Sequence, residues 1–259
     1  MRSNWLFIML LGMFFCSSES KGQLITIYAE RFHIGWKAGM SFSGFSNNVY
    51  PFDKQNSADP YYSGFKKYIR STFVPGITAD YQLSSKLTLG LEVNYNGRGA
   101  VYRRYVEGSD FESEDGSVNK GYYYFKYRIN NLESPITLQY RVTNNNYGET
   151  GLVIYGGIAP SWNLRAKYSE TNPDDPNIDI YSVANTGQNH SLDNVRKFNY
   201  SLLGGLKLLT SENPKGNFYI DLRFQYDGLP TFNIDYLPNG THNMGTYSWT
   251  TGLYIGYSF

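Results

Sequence analysis

Only three side chains in the chain titrate near neutral pH, His33, His190 and His242. Serine or cysteine hydrolysis needs one of them within hydrogen-bond reach of a nucleophile and of an orienting acid. His33 falls on a strand and the other two on separate loops. The serines on its own strand, Ser41 and Ser43, lie too far along the ribbon to form a local pair with it. A partner from another strand, Asp80 or Glu92, stays open, as does membership of a polar network. Cys16 is the single cysteine, which excludes a Cys–His metal cluster. The run Asp110-Phe111-Glu112-Ser113-Glu114-Asp115-Gly116 is rich in carboxylates but lacks the ligand spacing and terminal carboxylate of a calcium loop. Asp174 and Asp175, between Pro173 and Pro176, read as an exposed turn. There is no glycine-rich phosphate loop. The residues call for no cofactor, and an enzyme is not the leading reading.

Charge offers more. Lys and Arg number 23 against 22 Asp and Glu, so no basic excess exists to neutralise a phosphate backbone, and no nucleic-acid partner is expected. The balance is distributed along ribbons, and those ribbons must be found before the charges can be placed.

Residues 32 to 43 alternate strictly. Phe32, Ile34, Trp36, Ala38, Met40 and Phe42 are apolar, and His33, Gly35, Lys37, Gly39, Ser41 and Ser43 lie between them. A period of two is a strand with unlike faces. The same rhythm runs through 76–83, 87–95, 123–140, 152–168, 198–208, 218–227 and 247–259, which makes eight strands. In the fourth, the apolar positions Tyr123, Phe125, Tyr127 and Ile129 give way to Leu132, Ile136, Leu138 and Tyr140, a change of phase read as a β-bulge beside Pro135. Short connections (84–86, 143–150, 210–217) alternate with long ones (44–67, 105–121, 169–196, 228–246). Transmembrane barrels have this asymmetry, with short periplasmic turns and long extracellular loops.

Alternation alone does not say which face points inward. Eight strands enclose room for little beyond one layer of side chains, and roughly forty bulky Phe, Tyr, Trp, Leu and Ile residues would overfill it. The opposite face is rich in Gly, Ser, Thr, Asn and Ala, sizes suited to a narrow lumen. The expectation is therefore an all-β fold: an eight-stranded antiparallel up-and-down transmembrane β-barrel with a polar lumen, its apolar face in outer-membrane lipid. On that reading a lumen network draws on His33, Lys37, Asp80, Glu92, Arg98, Lys126, Arg128, Arg141, Asp221 and Arg223. Counting Arg70, Arg165, Lys167 and Lys207 with the cations and Asp227 with the acids, cations outnumber carboxylates ten to four. Either a basic lumen attracts an anion, or a salt-bridged plug carries excess cations at its rims.

Arg2, the apolar stretch from Trp5 to Phe15 and the small residues to Gly22 form a secretory signal pattern, giving residues 1–20 as signal peptide and 21–259 as barrel domain. Phe14 and Phe15 disfavour acylation at Cys16.

The segments Asn131-Leu132-Glu133-Ser134-Pro135-Ile136-Thr137-Leu138-Gln139-Tyr140 and Gly252-Leu253-Tyr254-Ile255-Gly256-Tyr257-Ser258-Phe259 resemble the PorT-like outer-membrane barrels, a family best known from Bacteroidetes. Ser134 stands where that family has an apolar residue. The resemblance implies a Gram-negative outer-membrane location and a barrel without fixed activity. It also implies envelope or secretion-system protein partners for one branch. The functional expectation is a non-enzymatic barrel presenting loops for interaction or support; a barrel enzyme on lipid or surface protein, or a narrow solute conduit, are the alternatives.

Overall fold

The computed structural model describes residues 31–49, 64–106, 121–143, 150–170, 188–192, 195–210, 216–232 and 245–259. The N-terminal segment read as a signal peptide, and most of every long connection, lie outside them. Eleven strands are formed among the described residues: β1 (Phe32–Phe45), β2 (Lys66–Gln82), β3 (Leu87–Arg98), β4 (Ala100–Val106), β5 (Gly121–Glu133), β6 (Ile136–Arg141), β7 (Gly151–Glu170), β8 (Gln188–Ser191), β9 (Phe198–Leu209), β10 (Asn217–Asp227) and β11 (Ser248–Ser258).

All pairings are antiparallel, and they close. β1 pairs with β2 on one side and with β11 on the other, from Gly35↔Ser258 to Phe45↔Ser248. From β11 the sheet runs through β10, β9 and β7 to β5 and β6, and through β3 back to β2. Closure gives the strands of the ring a neighbour on each side, while β8 pairs with β7 alone among the described residues.

The count of eight uninterrupted strands is corrected by three breaks. β3 and β4 both pair with β2 and with β5, and are parted at Gly99. That residue has φ of 145°, and a Cβ there would lie 2.0 Å from the Tyr127 carbonyl oxygen. Only glycine fits. β5 and β6 share the neighbours β3 and β7 and are parted by Ser134-Pro135, where proline supplies no donor. β8 and β9 both lie on β7.

Along most of the wall the outer face is apolar and the inner face polar. Trp36, Phe73, Ile77, Val93, Leu202, Leu222, Phe224 and Ile255 are exposed, whereas Lys37, Ser41, Glu92, Asn96, Arg223 and Thr250 are buried. Each large apolar side chain kept in water forgoes ~1.5–3 kcal/mol. Even at half that, the 35 exposed here would cost tens of kcal/mol, against ~5–15 kcal/mol for a typical domain's stability. This surface belongs in hydrocarbon.

At the end bearing the long connections, polarity reverses. Phe45, Val49, Ala100, Tyr102, Phe125, Tyr127, Ile129 and Val195 form a buried apolar core, with Phe65, Tyr168 and Phe232 packed against it. Its rings meet mainly edge to face, Phe45–Phe232 at 5.5 Å and Tyr102–Tyr127 at 5.8 Å between centroids. This corrects the expectation that Phe125, Tyr127 and Ile129 face lipid. β5 keeps its phase throughout, with Asn131 and Glu133 buried on the same side as Ile129. What changes along the strand is the polarity of each face, and no bulge is needed at Pro135. The bulge is on β7: Asn130 opposes Arg165 while Asn131 opposes Asn163, leaving Leu164 extra. Beyond it Ala166 and Tyr168 turn onto the apolar core, and Arg165 and Lys167 turn outward.

Candidate functional site

Within the ring the polar side chains form two clusters that cross the lumen. The first is centred on Glu92 of β3. Arg223 of β10 grips it with both arms of its guanidinium, Nη1 to Oε2 at 2.8 Å and Nη2 to Oε1 at 2.7 Å, the fork geometry that makes such pairs strong. Lys37 of β1 places Nζ 2.6 Å from Oε2 and 4.5 Å from the centre of the Tyr254 ring. Arg223 also donates from Nη2 to Asp221 Oδ2 at 3.0 Å and from Nε to the Tyr155 hydroxyl at 2.9 Å. Tyr155 in turn donates to Asp221 Oδ1. Room for that ring comes from Gly205, where a Cβ would lie 2.4 Å from the Tyr155 oxygen. Beside this cluster Lys207 donates to Gln139 Oε1 at 3.1 Å, and Gln139 donates to Asp80 Oδ1 at 2.8 Å.

The second cluster is centred on Arg98, the last residue of β3. Its Nε and Nη2 donate to Glu133 Oε1 at 2.9 and 2.6 Å. Its Nη1 donates to Asp227, and its Nη2 also donates to Ser201 Oγ at 2.9 Å. Asn96 donates to Glu133 at 3.1 Å and accepts from Ser41 at 2.9 Å. Asn199 and Ser201 donate to Asp227 at 3.1 and 2.9 Å.

Among the described residues the fully buried charges are Lys37, Arg98, Lys207 and Arg223 against Glu92, Glu133, Asp221 and Asp227, four of each sign. The basic lumen implied by ten cations against four acids is therefore not present. Lys126 and Arg128 account for much of the correction. They stand on the outer face of β5, because its odd residues fill the inside. Arg165 and Lys167 leave the lumen count through the bulge on β7.

Of the other expected members, Lys37, Glu92, Asp221 and Arg223 meet in one cluster and Arg98 anchors the other, while Asp80 sits beside the first. His33 joins neither. Its Nδ1 lies 3.1 Å from the Phe259 carbonyl oxygen, at the rim where β1 begins. Its register partner is Asp80, but that carboxylate is held by Gln139 and Glu92 is held by two cations. Ser41 and Ser43 are likewise engaged, the latter donating to the Gly99 carbonyl at 3.1 Å. Arg141 ends β6 beside Gly151 at the short-turn rim. Glu133, Gln139, Tyr155 and Ser201 escaped the sequence reading. Glu133 was legible in principle, since Thr137 and Gln139 share its parity.

The model of the outer membrane protein beta-barrel domain matches residues 17–232. This chain belongs to that family. It is thereby an integral barrel of a Gram-negative outer membrane, with its apolar face in the lipid of that membrane. Solved structures with similar architecture include OprG from Pseudomonas aeruginosa (12% identity, TM-score 0.42, covering 88% of this chain and 96% of that one). Another is Ail, the attachment invasion locus protein of Yersinia pestis (15% identity, TM-score 0.37, 88% and 99%). Neisserial surface protein A is a third (11% identity, TM-score 0.37, 88% and 97%). No curated protein matches the chain. The family match, rather than these distant likenesses, carries the assignment.

Proposed function

We propose that this outer-membrane barrel is a closed, non-enzymatic support that presents its long connections at the cell surface. The eleven segments act as eight membrane passes, with β3 and β4, β5 and β6, and β8 and β9 each forming one bent pass. Both termini and the short turns then lie in the periplasm. The observation that carries the reading is the equal set of buried charges, seven of them joined in ion pairs and Lys207 held by Gln139. Side chains from β1, β3, β5, β7, β9 and β10 meet across the lumen and consume one another's hydrogen-bonding capacity, and the apolar core caps them at the loop end. Such a plug offers no path for a solute, and its acids and bases are held by each other instead of standing at an opening. The cleaved signal peptide belongs to this proposal, as does the PorT-like resemblance, which directs the search for a partner toward secretion and envelope proteins.

Reconstituting the purified full chain in a planar bilayer tests the closed plug. A silent membrane is expected, and a steady single-channel current would overturn closure. Excising residues 171–187 tests the presenting role. The barrel should still fold, as judged by heat-modifiable migration, while crosslinks to its native envelope partner are lost. An unchanged crosslinking pattern after excision of each long connection in turn would remove the presenting role.

A further inference from the structure

The outer wall carries a second group of charges. Arg128 of β5 lies directly opposite Lys167 of β7. Lys126 is the next outward residue along β5, and Arg165, opposite Asn130, is the next along β7. Directly opposed residues hold their Cβ atoms ~4.5–5.5 Å apart, and like charges at such positions repel. The stretches 100–105, 124–132 and 162–169 contain no Asp or Glu. None of the four forms a salt bridge among the described residues. The Lys126 ammonium rests 5.1 Å from the centre of the Tyr124 ring, and on β4 Arg103 lies 3.8 Å over Tyr68, extending the basic surface.

Height identifies what meets this patch. On the same strands the outward residues below it are Leu132, Ile136, Leu138, Tyr140, Ile158, Trp162 and Leu164, all exposed and apolar. From Tyr140 to Asn130 the chain rises about 25 Å along the barrel axis at ~3.3 Å per residue and a tilt of ~40°. A barrel's apolar band is ~25 Å tall. The cations therefore begin where hydrocarbon ends. They are also confined to one side, since the outward positions of β9, β10 and β11 carry no charge.

We propose that this patch binds the phosphate groups of an anionic glycolipid in the outer leaflet, with Arg128 and Arg165 as forks on phosphate and Lys126 and Lys167 as point charges. Lipid phosphate would relieve the repulsion that stands among the described residues. This rests on the outward orientation of the loop end proposed above.

The full chain is reconstituted in phosphatidylcholine vesicles, alone or doped with bis-phosphorylated lipid A or its dephosphorylated form, and compared with a variant in which Lys126, Arg128, Arg165 and Lys167 are all Gln. Both leaflets carry the lipid, so the outcome is independent of orientation, which surface labelling of a loop cysteine on whole cells tests separately. Retention of bis-phosphorylated lipid A in native mass spectrometry at low salt should fall by about fivefold per cation removed. The thermal midpoints should change order, the variant being the more stable in plain phosphatidylcholine and the parent in lipid A. Arg128→Lys with Arg165→Lys should keep most of the affinity, which controls for folding. Equal retention by parent and variant would overturn the proposal, as would equal retention of the dephosphorylated lipid or displacement by matched free phosphate. Preferential capture of a sulfated polysaccharide would also overturn it.

Discussion

The two ends of this barrel solve opposite problems with the same amino acids. Below the loop end the inside is built from Lys37, Glu92, Asp221 and Arg223 and the outside from Trp36, Leu222 and Ile255. At the loop end the inside is Phe45, Tyr102, Phe125 and Tyr127 and the outside includes Arg128 and Lys167. One strand, β5, contributes to both without changing phase. β7, with 20 residues, rises about 50 Å at the usual rise and tilt, roughly twice the apolar band. Its upper part must leave the bilayer. The surrounding solvent, hydrocarbon below and water above, decides which face of the ribbon is buried, and the ribbon itself does not.

The difference makes energetic sense. In water the apolar core is stabilised by the hydrophobic effect. In hydrocarbon that driving force between the wall and its surroundings is gone, and cohesion falls to pairing of groups that lipid cannot solvate. A buried ion pair is at best a modest contributor compared with apolar packing of equal volume, yet breaking one is expensive.

Substitutions can sharpen this contrast. The largest effect is expected at Glu92→Gln, which strips Lys37 of its carboxylate and leaves Arg223 with Asp221 alone. It should cost ~3–5 kcal/mol, read as a fall in the urea midpoint of the folded barrel in vesicles. Tyr127→Ala should cost a similar ~3–5 kcal/mol by emptying the upper core. A value below ~1 kcal/mol would mean that the apolar cap is not a cohesive unit. Next comes Leu222→Arg, which puts a cation on the lipid face near mid-height and should cost ~2–4 kcal/mol. The smallest is Asn130→Lys on the outer face at the loop end, expected at ~0–1 kcal/mol. If the last two were reversed, the assignment of hydrocarbon and water to the two ends would be wrong.

Much of the wall was legible beforehand. The alternation from Phe32 to Ser43 placed Lys37 inside and Trp36 outside, and the same rule put Glu92, Asp221 and Arg223 in one lumen. The upper half was not legible, because a period of two reveals unlike faces without stating their height in a bilayer. Phe125, Tyr127 and Ile129 alternate with Lys126 and Arg128 in the same way whether they meet lipid or one another. The partners of Arg98 depend on how far each strand is staggered around the ring, which no single strand encodes. The extra residue at Leu164 likewise becomes visible only against its neighbour.

The most direct measurement is the local environment of one residue from the apolar band and one from the loop end. Nitroxide labels are placed at Leu222 and Arg128 in a Cys16→Ser background, and the barrel is reconstituted in lipid. At Leu222 the account predicts collisions with dissolved oxygen far exceeding those with a water-soluble nickel chelate, and at Arg128 the reverse. A Leu222 label open to the nickel chelate, or shielded from both agents, would contradict it.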